Sequence, residues 1–209
     1  MLLADDHAMM RDGLQALLQT APDIEVVGSV SNGREAIAKA IALKPDVVIM
    51  DVTMPEMNGI EAAGLMRDKH PEIRVIMLSM HSSSEHVYRA LKAGAIGYLL
   101  KESAGEEIVS AVRAVHAGRT YMSQALETLE RRSAPRTSDA GPLASLSTRE
   151  RQVLQLVVEG RSSAEIAALV HLSPKSIDTY RSRLMKKLGI ADVTGLVKFA
   201  IQHGLTPPG

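Results

Sequence analysis

The chain has 209 residues, 24 Lys and Arg against 24 Asp and Glu, and 45% hydrophobic residues. That suits one large or two smaller globular domains. There is no cysteine, which excludes a disulfide framework and a thiolate metal site. No apolar run approaches the roughly 20 residues of a membrane span, and no signal-peptide pattern opens the chain, so a soluble cytoplasmic protein is expected. The balanced charge hides an asymmetry. Residues 1–121 carry 12 basic and 16 acidic side chains, whereas 144–209 carry 9 basic and 5 acidic. If nucleic acid is bound, the back half binds it.

Over the first 120 residues short apolar, β-branched runs alternate with helical periodicity. The runs are LLA (2–4), IEVVGSV (24–30), DVVIM (46–50), IRVIMLS (73–79) and IGYLL (96–100). Between them, stretches such as GREAIAKAIAL (33–43) and EHVYRALKAG (85–94) place apolar residues three and four apart. This alternation predicts crossover units: a doubly wound α/β domain with a five-stranded parallel sheet and five helices. Ser103 with Glu106 is read as a capping box opening the fifth helix, and Gly118 suits its end. The first strand starts at the first residue, and strands of this kind usually run longer, which leaves open whether residues precede Met1.

From 122 to 143 the pattern fades into a linker. SQALETLERR could extend as a helix, but RSAPRTSDAGP is aperiodic and rich in Ser, Pro and Gly. Residues 144–209 then read as a small all-α domain. Ser147 with Glu150 and Ser162 with Glu165 form two further capping boxes. Ser173 precedes Pro174 at the start of a helix ending in basic residues, and Asp192 caps a last one. Two helices joined by a tight turn, the second basic, describe a helix-turn-helix.

In a parallel sheet, ligands bind beyond the carboxyl ends of the strands. Asp5 and Asp6 follow the first strand, Asp51 the third and Lys101 the fifth, while Ser79 ends the fourth. Three convergent carboxylates need a cation, and an oxygen-only donor set selects a hard one such as Mg²⁺. A lysine and a hydroxyl opposite suit a tetrahedral oxyanion. A metal and an anion around one aspartate are what a phosphoryl-accepting carboxylate requires. None of the seven histidines has metal spacing, so none is assigned to a metal.

ADD (4–6), DVTMPEMNG (51–59), LS (78–79) and GYLLK (97–101) resemble the receiver domain of two-component response regulators. LSTRERQVLQLVVEGRSSAEIA followed by SPKSIDTYRSRLMKKLG resembles the LuxR-type DNA-binding domain. In this order the pair resembles the NarL/FixJ subfamily, with a flavodoxin-like receiver. The resemblance implies Asp51 as phosphoacceptor, Asp6 as a direct Mg²⁺ ligand, Asp5 as a ligand through water, and the Thr53 carbonyl as another ligand. It implies that Lys101 pairs with the phosphoryl oxygens and that Ser79 and Tyr98 form a switch pair. It also implies double-stranded DNA, a sensor histidine kinase and a second copy of the chain as partners, with dimerisation on activation and no membrane. Two departures stand out: Glu102 follows the lysine where proline is common, and Met80 follows Ser79 where a small residue is common.

The resemblance to the LuxR-type domain further implies that, on a recognition helix spanning roughly 174–187, Lys175, Asp178, Thr179 and Ser182 face bases and Arg181 and Arg183 phosphates. The basic run Arg181, Arg183, Lys186 and Lys187 is expected to favour phosphate contact. Leu196, Val197, Ala200 and Ile201 are read as a dimer face or, equally, as core. An aspartyl-phosphate hydrolase is the enzyme alternative, but it needs a second acid two residues after the nucleophile, where this chain has Thr53. A regulator of the same architecture that works without phosphate is the other. Beyond accepting the phosphoryl group and slow self-dephosphorylation, no enzymatic activity is expected.

Overall fold

The computed structural model describes residues 1–126, 142–203 and 205–206. The chain forms two compact units, Met1–Asp139 and Ala140–Gly209. In the first, strands and helices alternate: β1 (Leu2–Ala4), α1 (Ala8–Gln19), β2 (Gly28–Val30), α2 (Gly33–Leu43), β3 (Val47–Asp51), α3 (Gly59–Lys69), β4 (Arg74–Ser79), α4 (Ser84–Lys92), β5 (Gly97–Leu100), α5 (Ala104–His116) and β6 (Tyr121–Met122). The strands lie in the order β2-β1-β3-β4-β5-β6, every neighbouring pair parallel.

The period of two along each strand divides the apolar side chains between two cores. Leu2, Ala4, Val48, Met50, Val75, Met77 and Tyr98 pack on one side with residues of α2, α3 and α4. Leu3, Val47, Ile49, Ile76, Leu78 and Leu99 pack on the other with α1 and α5. Both faces are covered, so the strands read as nearly unbroken apolar runs.

Three details depart from the sequence reading. The run 24–30 pairs in the sheet only from Gly28, although Ile24 and Val26 still pack against the α1/α5 core. The sheet has a sixth strand. Tyr121–Met122 pairs with Gly97–Tyr98, and Ser123 and Leu126 are buried. Residues 122–126 therefore belong to the receiver fold, and the linker starts later than residue 122. The proposed helix over SQALETLERR lies mostly outside the described residues. Ser103 also forms no capping box. Its backbone is already helical (φ −104°, ψ −2°) and its side chain makes no cap hydrogen bond; the hydroxyl is instead 2.7 Å from that of Ser123.

The second unit opens with a short 3₁₀ turn, Pro142–Ser145, followed by α6 (Thr148–Val158), α7 (Ser163–Val170), α8 (Pro174–Leu188) and α9 (Val193–Gln202). The Ser147/Glu150 and Ser162/Glu165 capping boxes are complete. His171, left-handed at φ 55°, ends α7, and Ser173 caps α8 two residues later. This tight turn joins the two helices of the helix-turn-helix. Leu154, Ile166, Ile177, Leu184, Leu196 and Ala200 form its core.

Candidate functional site

The stretch VVIMDVTMPEMNG shows how the chain delivers a carboxylate to a sheet edge. Val47–Asp51 is buried throughout, so Asp51 is the last strand residue before the chain turns. Glu56 takes a left-handed conformation (φ 62°). The Asn58 side chain then accepts the Glu61 N–H at 3.0 Å and caps α3. Gly59 passes so close to the strand that a Cβ there would lie 2.0 Å from the Asp51 carbonyl oxygen. Only glycine fits that approach.

Around Asp51 the neighbouring strand ends supply charge. Lys101, one residue past β5, donates to Asp51 Oδ2 at 2.8 Å. Its ammonium is also 2.8 Å from Asp5 Oδ2. The Lys101 side chain is 6% exposed, and those of Asp5 and Asp51 are 3% exposed. The Thr53 N–H donates to Asp51 Oδ1 at 3.2 Å. Neither Asp5 Oδ2 nor Asp6 Oδ1, both buried, accepts a well-directed hydrogen bond. One donor atom each from Asp5, Asp6, His7 and Asp51 lies within 4.8 Å of the others. Like charges at that separation repel by roughly 3–4 kcal/mol at an effective dielectric near 20, and one lysine does not offset three carboxylates. Burial pushes the Asp51 carboxyl up to about 7; Lys101 opposes that rise and the Asp5 charge adds to it. Burial works to lower the Lys101 ammonium, but Asp51 and Asp5 outweigh it and hold it above its ordinary range. Hard oxygen donors gathered around this excess of negative charge fit a divalent cation such as Mg²⁺.

His7 was missed in the sequence reading. Its Nδ1 is 2.8 Å from Asp6 Oδ1 and 3.3 Å from Asp5 Oδ1. Its place directly after the two aspartates was the available signal.

Ser79 and Tyr98 meet at one residue, His81. The Ser79 hydroxyl accepts the His81 N–H at 2.9 Å, and the Tyr98 hydroxyl donates to the His81 carbonyl at 2.8 Å. The Tyr98 ring is fully buried, which pushes its phenol up to about 12. Lys101 N–H bonds the Ser79 carbonyl at 2.8 Å, so the lysine and the hydroxyl leave adjacent strand ends together. Met80 stands 64% exposed.

On α8, Lys175, Asp178, Thr179, Ser182 and Arg183 are exposed, opposite the buried Ile177 and Leu184. Thr179 and Ser182 donate to carbonyls four residues back in their own helix. Asp178 accepts the Ser163 hydroxyl at 2.7 Å. Arg181 is half-buried and reaches the same hydroxyl at 3.4 Å. Lys187 departs from the expected phosphate-facing run. It is 2.7 Å from the buried Glu150 and ties α8 to α6. The last helix carries the stripe read as dimer face or core. Leu196 and Ala200 lie in the unit's own core, with Val197 and Ile201 half-buried.

An acidic pocket at the carboxyl edge of a doubly wound sheet, followed by a helix-turn-helix, defines a response regulator that acts on DNA. The match to known families agrees. Residues 1–113 match the response regulator receiver domain, and residues 144–200 match the luxR family of bacterial regulatory proteins. The transcriptional regulatory protein MctR of Rhizobium johnstonii is 39% identical over 210 residues, covering 98% of this chain and 94% of that protein. The response regulator VraR of Staphylococcus aureus is 39% identical over 205 residues, covering 98% and 97%. Among solved structures, the RcsB response regulator of Salmonella typhimurium aligns over 95% of both chains with 25% identity and a TM-score of 0.60. RcsB has also been solved in complex with DNA. The chain belongs to the two-component response regulators that join a receiver to a LuxR-type DNA-binding domain, the NarL/FixJ architecture. Among the described residues, no helix is long and apolar enough to cross a membrane.

Proposed function

We propose that this regulator accepts a phosphoryl group on Asp51 from a sensor histidine kinase and that the modification controls its binding to double-stranded DNA as a homodimer. The observation that carries this reading is the buried Asp51 held between the Lys101 ammonium at 2.8 Å and the Thr53 N–H at 3.2 Å. In the transfer, an Asp51 carboxylate oxygen forms a bond to phosphorus as the bond from phosphorus to the kinase imidazole breaks, and the imidazole nitrogen takes up a proton. Asp6, Asp51 and the Thr53 carbonyl, with Asp5 through water, would hold a Mg²⁺ ion, which supplies positive charge against the phosphoryl oxygens. Lys101 holds another of those oxygens, and Ser79 donates to a third once it turns from the His81 N–H. Tyr98, already inward, stabilises the loop that Ser79 then leaves.

Asp51 is used for signalling rather than turnover: the position two residues on, where a hydrolase carries its acid and base, is Thr53. On DNA, Lys175, Thr179 and Ser182 are placed to read bases, and Arg183 phosphates; Asp178 and Arg181 reach the DNA only by leaving Ser163. RcsB dimers have been solved bound to DNA, which supports the homodimer on DNA. The test is Asp51→Asn with a small-molecule phosphodonor and Mg²⁺. Intact-mass analysis should show the added phosphoryl group on the wild type and none on the variant. The same gain on both would overturn the assignment of Asp51.

A further inference from the structure

The phosphoacceptor site uses none of the polar groups around Glu107, yet that buried acid accepts three hydrogen bonds. Glu107 lies in the first turn of α5 and is 8% exposed. Its Oε1 accepts the Ser123 hydroxyl at 2.9 Å. Its Oε2 accepts the Tyr121 hydroxyl at 3.2 Å and the Gln124 N–H at 3.3 Å. All three partners lie where the chain leaves the receiver. Ser123, with no exposed surface, also meets Ser103 Oγ at 2.7 Å.

The proton directions in this cluster follow from chemistry. A carboxylate only accepts, so the single Ser123 proton points to Glu107; across the 2.7 Å Ser103–Ser123 pair Ser103 is then the donor, with the Leu100 carbonyl at 3.4 Å its more distant acceptor. This gives a directed chain from Ser103, two residues after Lys101, through Ser123 to Glu107. A second link is backbone: the Ser123 N–H donates to the Tyr98 carbonyl at 2.9 Å, and β6 pairs with the strand that carries Tyr98. Ser123 thus fastens the segment leaving the receiver both to the backbone of the switch tyrosine and to Ser103, two residues after the lysine.

We propose that Glu107 is a positioning residue that holds the exit segment Tyr121–Leu126 against β5, so that the state of the Lys101 and Tyr98 site is passed to the linker. This rests on the reading of Asp51 as phosphoacceptor. A burial role alone does not account for the arrangement, because three hydrogen bonds to one carboxylate select a particular path for the exit segment, whereas an apolar contact would only cover it. Glu107 does not touch the phosphoryl group and is not catalytic.

The experiment compares full-length wild type, Glu107→Gln and Ser123→Ala, each with and without acetyl phosphate and Mg²⁺. Phosphoryl uptake is read by intact mass, amide exchange by mass spectrometry over 121–126, and affinity by titration of a duplex selected with the wild type. Both variants should take up phosphate as the wild type does and exchange faster at 121–126. Their phosphorylation-dependent gain in DNA affinity should fall by about fivefold or more, the lower end of ordinary coupling between sites. Variants that keep the full gain overturn the inference alone. So do variants that lose uptake and gain in proportion, since that marks a merely structural role. A wild type that takes no phosphate, or takes it with no change in affinity, overturns the phosphorylation reading and the inference together.

Discussion

At the receiver site, Lys101 and Asp51 keep only 6% and 3% of their side chains exposed, whereas on α8 Lys175, Thr179, Ser182 and Arg183 all face solvent. The first arrangement takes charge out of water, which would make it act strongly on the proposed phosphoryl group. The second leaves charge in water, where it is weak per contact but free to meet a large polyanion. Each costs something different. Buried charge raises the Asp51 carboxyl to about 7 and destabilises the apo site, while exposed side chains on α8 give up fixed geometry until DNA supplies partners. Lys187 is a third case: still 43% exposed, it is paired with the buried Glu150 of its own domain.

The strongest way to break this contrast is to remove the buried cation. Lys101→Ala leaves Asp5 and Asp51 facing each other without compensation, and breaking a buried pair in this way costs about 3–5 kcal/mol. Urea unfolding of the metal-free protein should show that loss, and phosphoryl uptake should slow by about a hundredfold. A variant as stable as wild type would mean that the lysine is dispensable to the site.

The pH dependence comes next. Asp51 has a folded value near 7 against an ordinary 3.8, so the folded state binds the proton more tightly. Stability from this group is therefore present at low pH and lost as pH rises through about 7. Between pH 5 and 8 the metal-free protein should lose about 3 kcal/mol through Asp51, read as the difference in urea midpoint between wild type and Asp51→Asn. Equal slopes in the two proteins would show that the carboxylate is not destabilised by its surroundings.

Smaller effects sharpen the contrast within α8. Lys187→Ala should cost stability by about 1 kcal/mol and leave the salt dependence of DNA binding unchanged. Burial works to raise the Glu150 carboxyl, but the Lys187 and Ser147 bonds outweigh it and hold it low; the Lys187 contribution is thus present above the ordinary carboxylate value and fades as pH falls below it. Arg183→Ala should do the reverse: stability intact, binding weaker for all sequences, and a salt slope reduced by about one. Binding isotherms across a salt series distinguish the two. The smallest change is expected of Thr179→Ala, which should relax sequence choice at one base step with little loss of overall affinity, read by selection from random duplexes.

Short, nearly unbroken apolar runs and their spacing determined the alternating α/β architecture, because each strand must bury both faces and each helix one. Asp5, Asp6, Asp51, Ser79 and Lys101 were legible for the same reason: a parallel sheet brings all strand ends to one edge, so chain order alone implies proximity. Gly59 and Asn58 were visible as turn residues, but that glycine is required by an approach to the Asp51 carbonyl is a fact of the fold. What tertiary structure decided was pairing between residues far apart in sequence. A two-residue β6 carries no periodic signal and exists because Gly97 and Tyr98 offer an open edge. Ser103 looks like a helix cap until Ser123 arrives twenty residues later with a better partner for its hydroxyl. Lys187 looks like a DNA contact until Glu150 pairs with it, and of the two readings open for Leu196 its burial in the domain core is the one the fold displays. Local sequence sets which hydrogen bonds and contacts a residue can make; only the folded chain settles which partner reaches it first.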